Sequence, residues 1–190
     1  AHEGVALDTC ATWSIGFRAP AARELASALL DRLDQALDGR ALPPRYADRA
    51  LAPARNPGRI PGGMLDYAKR VAALLRLSDA LIEDALGQYL SDPKPQISFD
   101  RPDPPLSSRA MAQSISAGGL RLDRRTQFFH HAGNFYINGE TLRAASADRK
   151  LLRRLSDRRR LLAGTGISPQ ARRILYRWYV YGWAHPGAER

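Results

Sequence analysis

Cysteine is almost absent from this sequence, since Cys10 is the single one among 190 residues. One thiol cannot form a disulfide within the chain, and it cannot supply the several cysteines of a structural zinc site. Such scarcity is typical of a reducing compartment, so we expect a cytoplasmic protein. The sequence also lacks any run of about 18 apolar residues, which excludes a membrane-spanning helix.

Motifs of several enzyme classes are missing as well. The chain has no glycine-rich phosphate loop and no Gly-x-Ser-x-Gly motif, which argues against P-loop and serine-hydrolase chemistry. Histidine is scarce, and none of the four has another histidine three or four residues away, as a helical metal site would require. We expect His130 and His131 on the surface of a hairpin, and His185 in a solvated tail.

Acidic residues become rare in the second half of the chain. The whole sequence carries a net charge of +10. Residues 1–100 hold 12 basic and 13 acidic side chains, whereas residues 101–190 hold 17 basic and 6 acidic ones. The excess predicts a polyanionic partner, such as nucleic acid or a ribosome surface, and is equally compatible with a basic surface that serves only solubility.

The sequence begins with a strand pattern. Residues 5–18 alternate between small polar and large apolar side chains, which predicts a strand. Thr12 and Ser14 lie on its polar side. That side fits either the interior of a ligand-binding barrel or the solvent face of a half-exposed strand.

Three amphipathic helices follow this strand. They are predicted from Pro20 to Gly39 and roughly over 63–76 and 79–90, with a proline-rich connector after the first. No sheet accompanies them in the sequence. Their apolar faces therefore predict a bundle completed by a second copy of the chain, a homodimer.

A linker and a second unit complete the chain. Residues 92–106 contain five prolines, which predicts a linker at the point where the charge changes. Beyond it, 107–190 reads as a small α+β unit of winged-helix type. Its first predicted elements are a helix capped by Ser107 or Ser108 that runs to about Ala117, and strands over 120–130 and 134–142 with turns at 131–133 and Asn138-Gly139. Asp148 begins the next predicted helix, which Gly164 and Gly166 end and whose apolar side carries Leu151, Leu152, Leu155 and Leu162. Ser168 caps a last helix, whose predicted core face is Ile174, Leu175, Trp178 and Tyr181.

The helix that begins at Asp148 is rich in arginine on the sides away from its leucines. Its basic side chains could hold the phosphates of RNA weakly and without sequence preference, or they could be a solvated face. The candidates for nucleic-acid contact are Arg149, Arg153, Arg154, Arg158, Arg159 and Arg160.

Several short segments together resemble a known family. His2-Glu3-Gly4, Ala6-Leu7 and 14–20 (Ser-Ile-Gly-Phe-Arg-Ala-Pro) resemble the closing strands of the bacterial JmjC-type ribosomal oxygenases. Gly118-Gly119-Leu120-Arg121 and 136–140 (Tyr-Ile-Asn-Gly-Glu) resemble that family's winged helix. The implied α+β fold comprises the end of a double-stranded β-helix (cupin) barrel over 1–20, a helical dimerisation region over 21–91, the linker over 92–106 and a winged-helix-like domain over 107–190.

The resemblance also implies a chemistry. Members of this family use Fe(II) and 2-oxoglutarate to hydroxylate an arginine of a large-subunit ribosomal protein. Two histidines and one carboxylate hold the iron in such enzymes. His2 matches the second of these histidines, and Thr12 and Ser14 lie where they could contact 2-oxoglutarate.

The sequence departs from the family pattern in one important respect. It contains no His-x-Asp motif, so the chain as it stands is expected to be inactive and to belong to a longer protein, since it starts without Met. Two other functions stay open. One is a non-enzymatic winged-helix protein that binds nucleic acid or the ribosome, and the other is a structural dimerisation module.

Overall fold

The computed structural model describes residues 8, 9, 19–47, 56 and 58–187. Within them the helices are α1 (Ala22–Leu37), α2 (Gly62–Ala72), α3 (Asp79–Ser91), α4 (Ser108–Gly118), α5 (Ser146–Arg158) and α6 (Pro169–Val180). The strands are β1 (Leu120–Leu122), β2 (Phe128–His131), β3 (Asn134–Ile137), β4 (Glu140–Arg143), β5 (Arg160–Leu161) and β6 (Ala184–Pro186). None of the helices in this part of the chain is long and apolar enough to cross a membrane.

The strands form two antiparallel sheets, in the orders β5-β1-β6 and β2-β3-β4. The sequence predicted one strand over 120–130, but the chain turns after β1, where the Thr126 N–H donates to the Asp123 carbonyl at 3.0 Å. This turn sends β1 and β2 into different sheets. The predicted turn at Asn138-Gly139 is confirmed, because both residues have positive φ, 46° and 84°, as in a two-residue hairpin turn.

The hydrophobic core lies among these strands and α4, α5 and α6. Trp178 of α6 is fully buried, and its ring meets that of Phe128 edge-on, with centroids 5.1 Å apart. Leu175, one turn before Trp178, is also fully buried. These positions confirm the predicted inner face of the last helix, which the side chain of Ser168 caps by accepting a hydrogen bond from Ala171 N–H.

The arginine-rich helix is shorter than predicted. α5 ends at Arg158, because Arg159 adopts a left-handed conformation with φ 57° and the next two residues pair with β1 as β5. Leu152 and Leu155 are fully buried, as expected. Leu162, which the helical pattern placed on the same side, lies beyond the helix and is 53% exposed.

α3 packs against α1 on one side and against the β2-β3-β4 sheet on the other. Its buried residues include Gly87 and Ser91, whose small size lets the sheet approach closely. Gln88 Nε2 donates to Thr141 Oγ1 at 2.9 Å, and Gly139 N–H donates to Ser91 Oγ at 3.1 Å. The expectation that all three helices lack a partner within the chain is therefore wrong for α3, because the sheet covers part of it.

Candidate functional site

The residues predicted to bind the metal and 2-oxoglutarate do not lie in the part of the chain that the structure describes. His2, Thr12 and Ser14 fall outside the described residues, as does nearly all of the predicted strand over 5–18. In the described part of the chain, no three His, Cys, Asp or Glu side chains are grouped so that they could hold a metal ion. Among the described residues, the candidate site is therefore the basic surface of the second half of the chain.

His130 and His131 contact carboxylates on two different helices. His130 Nε2 lies 3.0 Å from Asp157 Oδ1 of α5, and His131 Nε2 lies 3.7 Å from Glu83 Oε1 of α3. The two rings point to opposite sides of β2, as expected for neighbours on a strand. The pair bridges two helices at the protein surface.

Asp123 organises a polar cluster at the end of β1. Its Oδ1 accepts hydrogen bonds from Arg125 N–H and Nε, both at 2.9 Å. His185 Nε2 lies 3.0 Å from its Oδ2. The hydrogen bonds from the Arg125 side chain hold the pKa of Asp123 well below its usual value, and the contact with His185 acts in the same direction.

This cluster corrects the expectation for His185. The residue lies in β6, opposite Arg121 of β1, and its side chain is only 27% exposed. It is therefore part of the sheet rather than of a solvated tail. β6 joins the sheet because the turn after α6 brings Trp183 beside the 123–126 turn, where the Trp183 carbonyl accepts from Asp123 N–H at 2.8 Å.

Two of the six candidate arginines donate hydrogen bonds to backbone carbonyl oxygens. Arg159 Nη2 donates to the carbonyl oxygens of Asp123 and Thr126, at 2.7 and 2.9 Å. Burial lowers the pKa of Arg159. Arg149 Nε donates to the Ala144 carbonyl at 3.3 Å. These two side chains hold backbone groups, and Arg159 supports the turn between β1 and β2.

All six candidates are exposed, and the other four are Arg153, Arg154, Arg158 and Arg160. Arg160 lies opposite Arg121 in the β1–β5 ladder, so these two cations share one face of the sheet. Exposed guanidinium groups can contact phosphates without reading sequence. The surface therefore carries the chemistry for weak polyanion binding.

Sequence reasoning missed the Asp123 cluster. The relevant signal is Asp123 followed by Arg125 and Thr126, because an Asp side chain that accepts from a backbone N–H two residues later marks a turn. The partners His185 and Arg159 carry no such local signal. They come from β6 and from the end of α5.

A family model described as ROXA-like winged helix matches residues 72–185. The chain belongs to the ROXA-like winged-helix family. The match begins before α3, in agreement with the packing of α3 on the sheet of the winged helix.

Relatives of this ROXA-like winged helix are ribosomal oxygenases. The chain is 26% identical over 149 residues to the Ribosomal protein uL16 3-hydroxylase of Escherichia coli strain K12, covering 74% of this chain and 37% of the relative. The predicted resemblance to this group of oxygenases is thus confirmed. The chain spans less than half the length of the curated relative that it matches.

Solved structures show the same fold. YcfD, a ribosomal oxygenase from Escherichia coli, in complex with cobalt and succinic acid, superposes with a TM-score of 0.66 at 22% identity, covering 90% of this chain and 47% of that one. The complex of YcfD with cobalt and 2-oxoglutarate gives a TM-score of 0.67 at 22% identity, covering 90% of this chain and 47% of that one. At this identity the likeness speaks for the fold alone.

Proposed function

We propose that this chain is the C-terminal part of an Fe(II)- and 2-oxoglutarate-dependent oxygenase that hydroxylates an arginine of a large-subunit ribosomal protein. The observation that carries the proposal is the family match over 72–185, combined with the similarity to a uL16 hydroxylase. The solved relative that holds cobalt and 2-oxoglutarate supports the choice of cofactors, with cobalt standing in for iron. A cytoplasmic location follows from this function, because ribosomal proteins are its substrates.

The described residues do not provide a binding site for the iron. Within them no suitable group of ligands exists, and the resemblance assigns only His2 of this sequence to the metal. One imidazole cannot hold Fe(II) in the geometry that such an oxygenase needs. No catalytic step is therefore assigned to the described residues, and the 190-residue chain by itself is proposed to be inactive.

The helical region is proposed to form a homodimer. α2 buries none of its residues, and Met64 and Leu65 on it are 42% and 53% exposed. Leu30 of α1 and Leu75 and Leu77 after α2 are exposed as well. Several exposed large apolar side chains within one helical region favour an interface, and a second copy of the chain would cover them.

α3 is proposed to connect this dimer surface to the winged helix. It contacts α1 through an ion pair in which Arg32 Nη2 lies 3.6 Å from Asp84 Oδ2. The same carboxyl group accepts a hydrogen bond from Tyr136 OH of β3 at 3.3 Å. A winged helix attached in this way keeps a defined position relative to the second subunit.

A second candidate function is a winged-helix protein that binds RNA and has no enzymatic role. The observation that favours it is the exposure of Arg153, Arg154 and Arg158 on α5. Iron and 2-oxoglutarate binding by the product of the whole gene would distinguish the two functions. The RNA-binding function alone requires neither ligand.

The test uses the protein encoded by the whole gene. It is incubated with Fe(II), 2-oxoglutarate and isolated large-subunit ribosomal proteins, while succinate release is measured and mass spectrometry looks for an oxygen atom added to arginine. We expect both signals in the wild type and neither in His2→Ala, because loss of a ligand destroys the metal geometry. The matched control is His131→Ala, which changes an exposed histidine and should leave turnover intact.

Two results would count against these assignments. Undiminished turnover in His2→Ala would remove His2 from the metal site. Absence of succinate release in the wild type, with any of the ribosomal proteins, would overturn the oxygenase function itself.

A further inference from the structure

A cleft of about 500 Å³ lies between the linker, the start of β4 and the turn after α6. Its walls carry Phe99 and Arg101 from the linker, Glu140 from β4, and Tyr181 and Trp183 from the turn. The volume falls within the range of roughly 300–1,000 Å³ that is usual for sites of small molecules or single groups. None of the residues named above for the metal site or the dimer surface lines this cleft.

The aromatic side chains of the cleft are held in fixed positions. The ring of Trp183 meets the ring of Tyr181 at 5.1 Å and 64°, and that of Phe99 at 6.2 Å and 60°, both edge-to-face. The three residues are only partly buried, so part of each ring reaches the surface. The cleft is therefore lined by an ordered aromatic cluster that is open to solvent.

The backbone around these rings is rigid for identifiable reasons. The Trp183 N–H donates to the Trp178 carbonyl at 2.8 Å, and the Trp183 carbonyl accepts from Thr126 Oγ1 at 2.9 Å. Gly182, with φ +77°, lies against the linker so closely that a Cβ would be 2.5 Å from the Asp100 carbonyl oxygen. The linker and the turn after α6 therefore pack closely against each other, and the cleft is preformed.

Cations surround the aromatic cluster. The guanidinium carbon of Arg101 lies 6.0 Å from the centre of the Tyr181 ring. Arg177 of α6 pairs with Glu140, with Nη2 and Oε2 3.0 Å apart, so the carboxylate at the rim is already neutralised. Four of its seven lining residues belong to 101–190, the part of the chain that carries 17 basic and 6 acidic side chains. With Glu140 paired to Arg177, Arg101 is the lining cation that can meet an anion.

We propose that this cleft binds single-stranded nucleic acid, with a nucleobase stacked on the Tyr181–Trp183 pair and an adjacent phosphate held by Arg101. Single-strand sites combine aromatic platforms with cations that hold the backbone, and this cleft provides the aromatic platform and the Arg101 guanidinium. Duplex bases present no free face for stacking, so the cleft selects single strands. A basic peptide would meet repulsion at the same place.

The proposal separates two contributions to binding. The exposed arginines of α5 attract single and double strands alike, because they contact only phosphates. The cleft adds a contribution that only single strands receive. It is independent of the oxygenase function, so failure of either proposal leaves the other standing.

The test measures binding of the full chain to fluorescein-labelled oligouridine RNA by anisotropy, with strands of about eight nucleotides, a length typical of single-strand sites. The same measurement is made with the DNA of equal length and with blunt duplex RNA. We expect single strands to bind more tightly than the duplex. Tyr181→Ala should weaken single-strand binding about ten-fold, and Tyr181→Trp should restore it, since base stacking on a ring is lost and regained.

Two further variants separate binding in the cleft from electrostatic binding to α5. The triple change Arg153→Ser, Arg154→Ser and Arg158→Ser should weaken single-strand and duplex binding alike and leave their ratio unchanged. Arg101→Ser removes an exposed cation and should lower single-strand affinity without affecting the fold, which circular dichroism checks. The comparison of RNA with DNA identifies which nucleic acid the cleft prefers.

Several outcomes would overturn the proposal. Equal affinity for single strands and duplex, or single-strand affinity unchanged in both Tyr181→Ala and Arg101→Ser, would show that binding is diffuse and electrostatic. Binding of a proline-rich peptide in the absence of any nucleic-acid binding would assign the cleft to a protein partner instead.

Discussion

Gly87 of α3 lies directly against the aromatic ring of Tyr136 in β3, so that a Cβ on Gly87 would be 2.4 Å from Cγ of that ring. The Tyr136 side chain is almost completely buried. Burial and the nearby Asp84 carboxylate raise the pKa of its hydroxyl. Because the ring cannot move aside easily, this contact determines how closely the helical region approaches the winged helix.

Gly87→Ala is expected to destabilise the protein by about 1–3 kcal/mol, because an added methyl group overpacks the contact between helix and sheet. Alanine favours helices over glycine, so the loss arises in spite of better helix propensity. Urea denaturation of the two proteins gives the free energy of unfolding. Gly62→Ala is the control, since a Cβ at Gly62 meets no atom within 4 Å. Similar free energies of unfolding for Gly87→Ala and Gly62→Ala would show that the contact with Tyr136 tolerates an added methyl group.

Leu65→Glu is expected to convert a dimer into a monomer. The substitution places a charge in the exposed apolar surface of the helical region, where the second copy would have to bury it. Sedimentation equilibrium should give twice the chain mass of 21.0 kDa for the wild type and the single mass for the variant. Leu162→Glu, at a similarly exposed leucine of the winged helix, should stay dimeric. A wild-type monomer at micromolar concentration would contradict the proposed interface.

Asp123→Asn is expected to lower stability at pH 7 by about 2–3 kcal/mol, because the charged hydrogen bonds to Arg125 and His185 are lost. Its pKa is depressed in the folded state, so the stabilisation is fully present above the unfolded-state pKa of about 3.9 and is lost progressively as the pH falls from there through the lower folded-state pKa. The free energy of unfolding of wild type and variant should therefore converge in acid.

The control for this prediction is Asp100→Asn. Asp100 also pairs with Arg125, with Nη2 and Oδ2 2.7 Å apart, but its side chain is 85% exposed. Exposed ion pairs contribute about 0–1 kcal/mol, so the control should lose little stability. A pH-independent difference between wild type and Asp123→Asn would show that the carboxylate charge is not the cause.

Arg159→Ala is expected to cost about 1–3 kcal/mol of stability, since the carbonyl oxygens of Asp123 and Thr126 lose their shared donor. Arg158→Ala, the change at the adjacent exposed arginine, should have almost no effect on stability. Thermal unfolding followed by circular dichroism compares the two. Equal melting temperatures would show that the hydrogen bonds of Arg159 to the turn do not stabilise the fold.

The sequence determined the local elements of this protein. The cap at Ser168, the Asn138-Gly139 turn and the inner face with Leu175 and Trp178 depend on neighbours within a few residues, and the structure agrees with all three. The resemblance to ribosomal oxygenases was also visible in short segments. These signals are local because capping, turn geometry and helical periodicity act over one or two turns of chain.

Only the tertiary structure decided which residues distant in sequence meet. Gly87 packs on Tyr136, and His185 contacts Asp123. Arg159, which helical periodicity placed among the surface arginines, holds the turn between β1 and β2. Each of these contacts joins residues that lie far apart along the chain, so no pattern of neighbours contains it. They form because burying the apolar core brings the elements together, and the polar groups enclosed with it must then find partners.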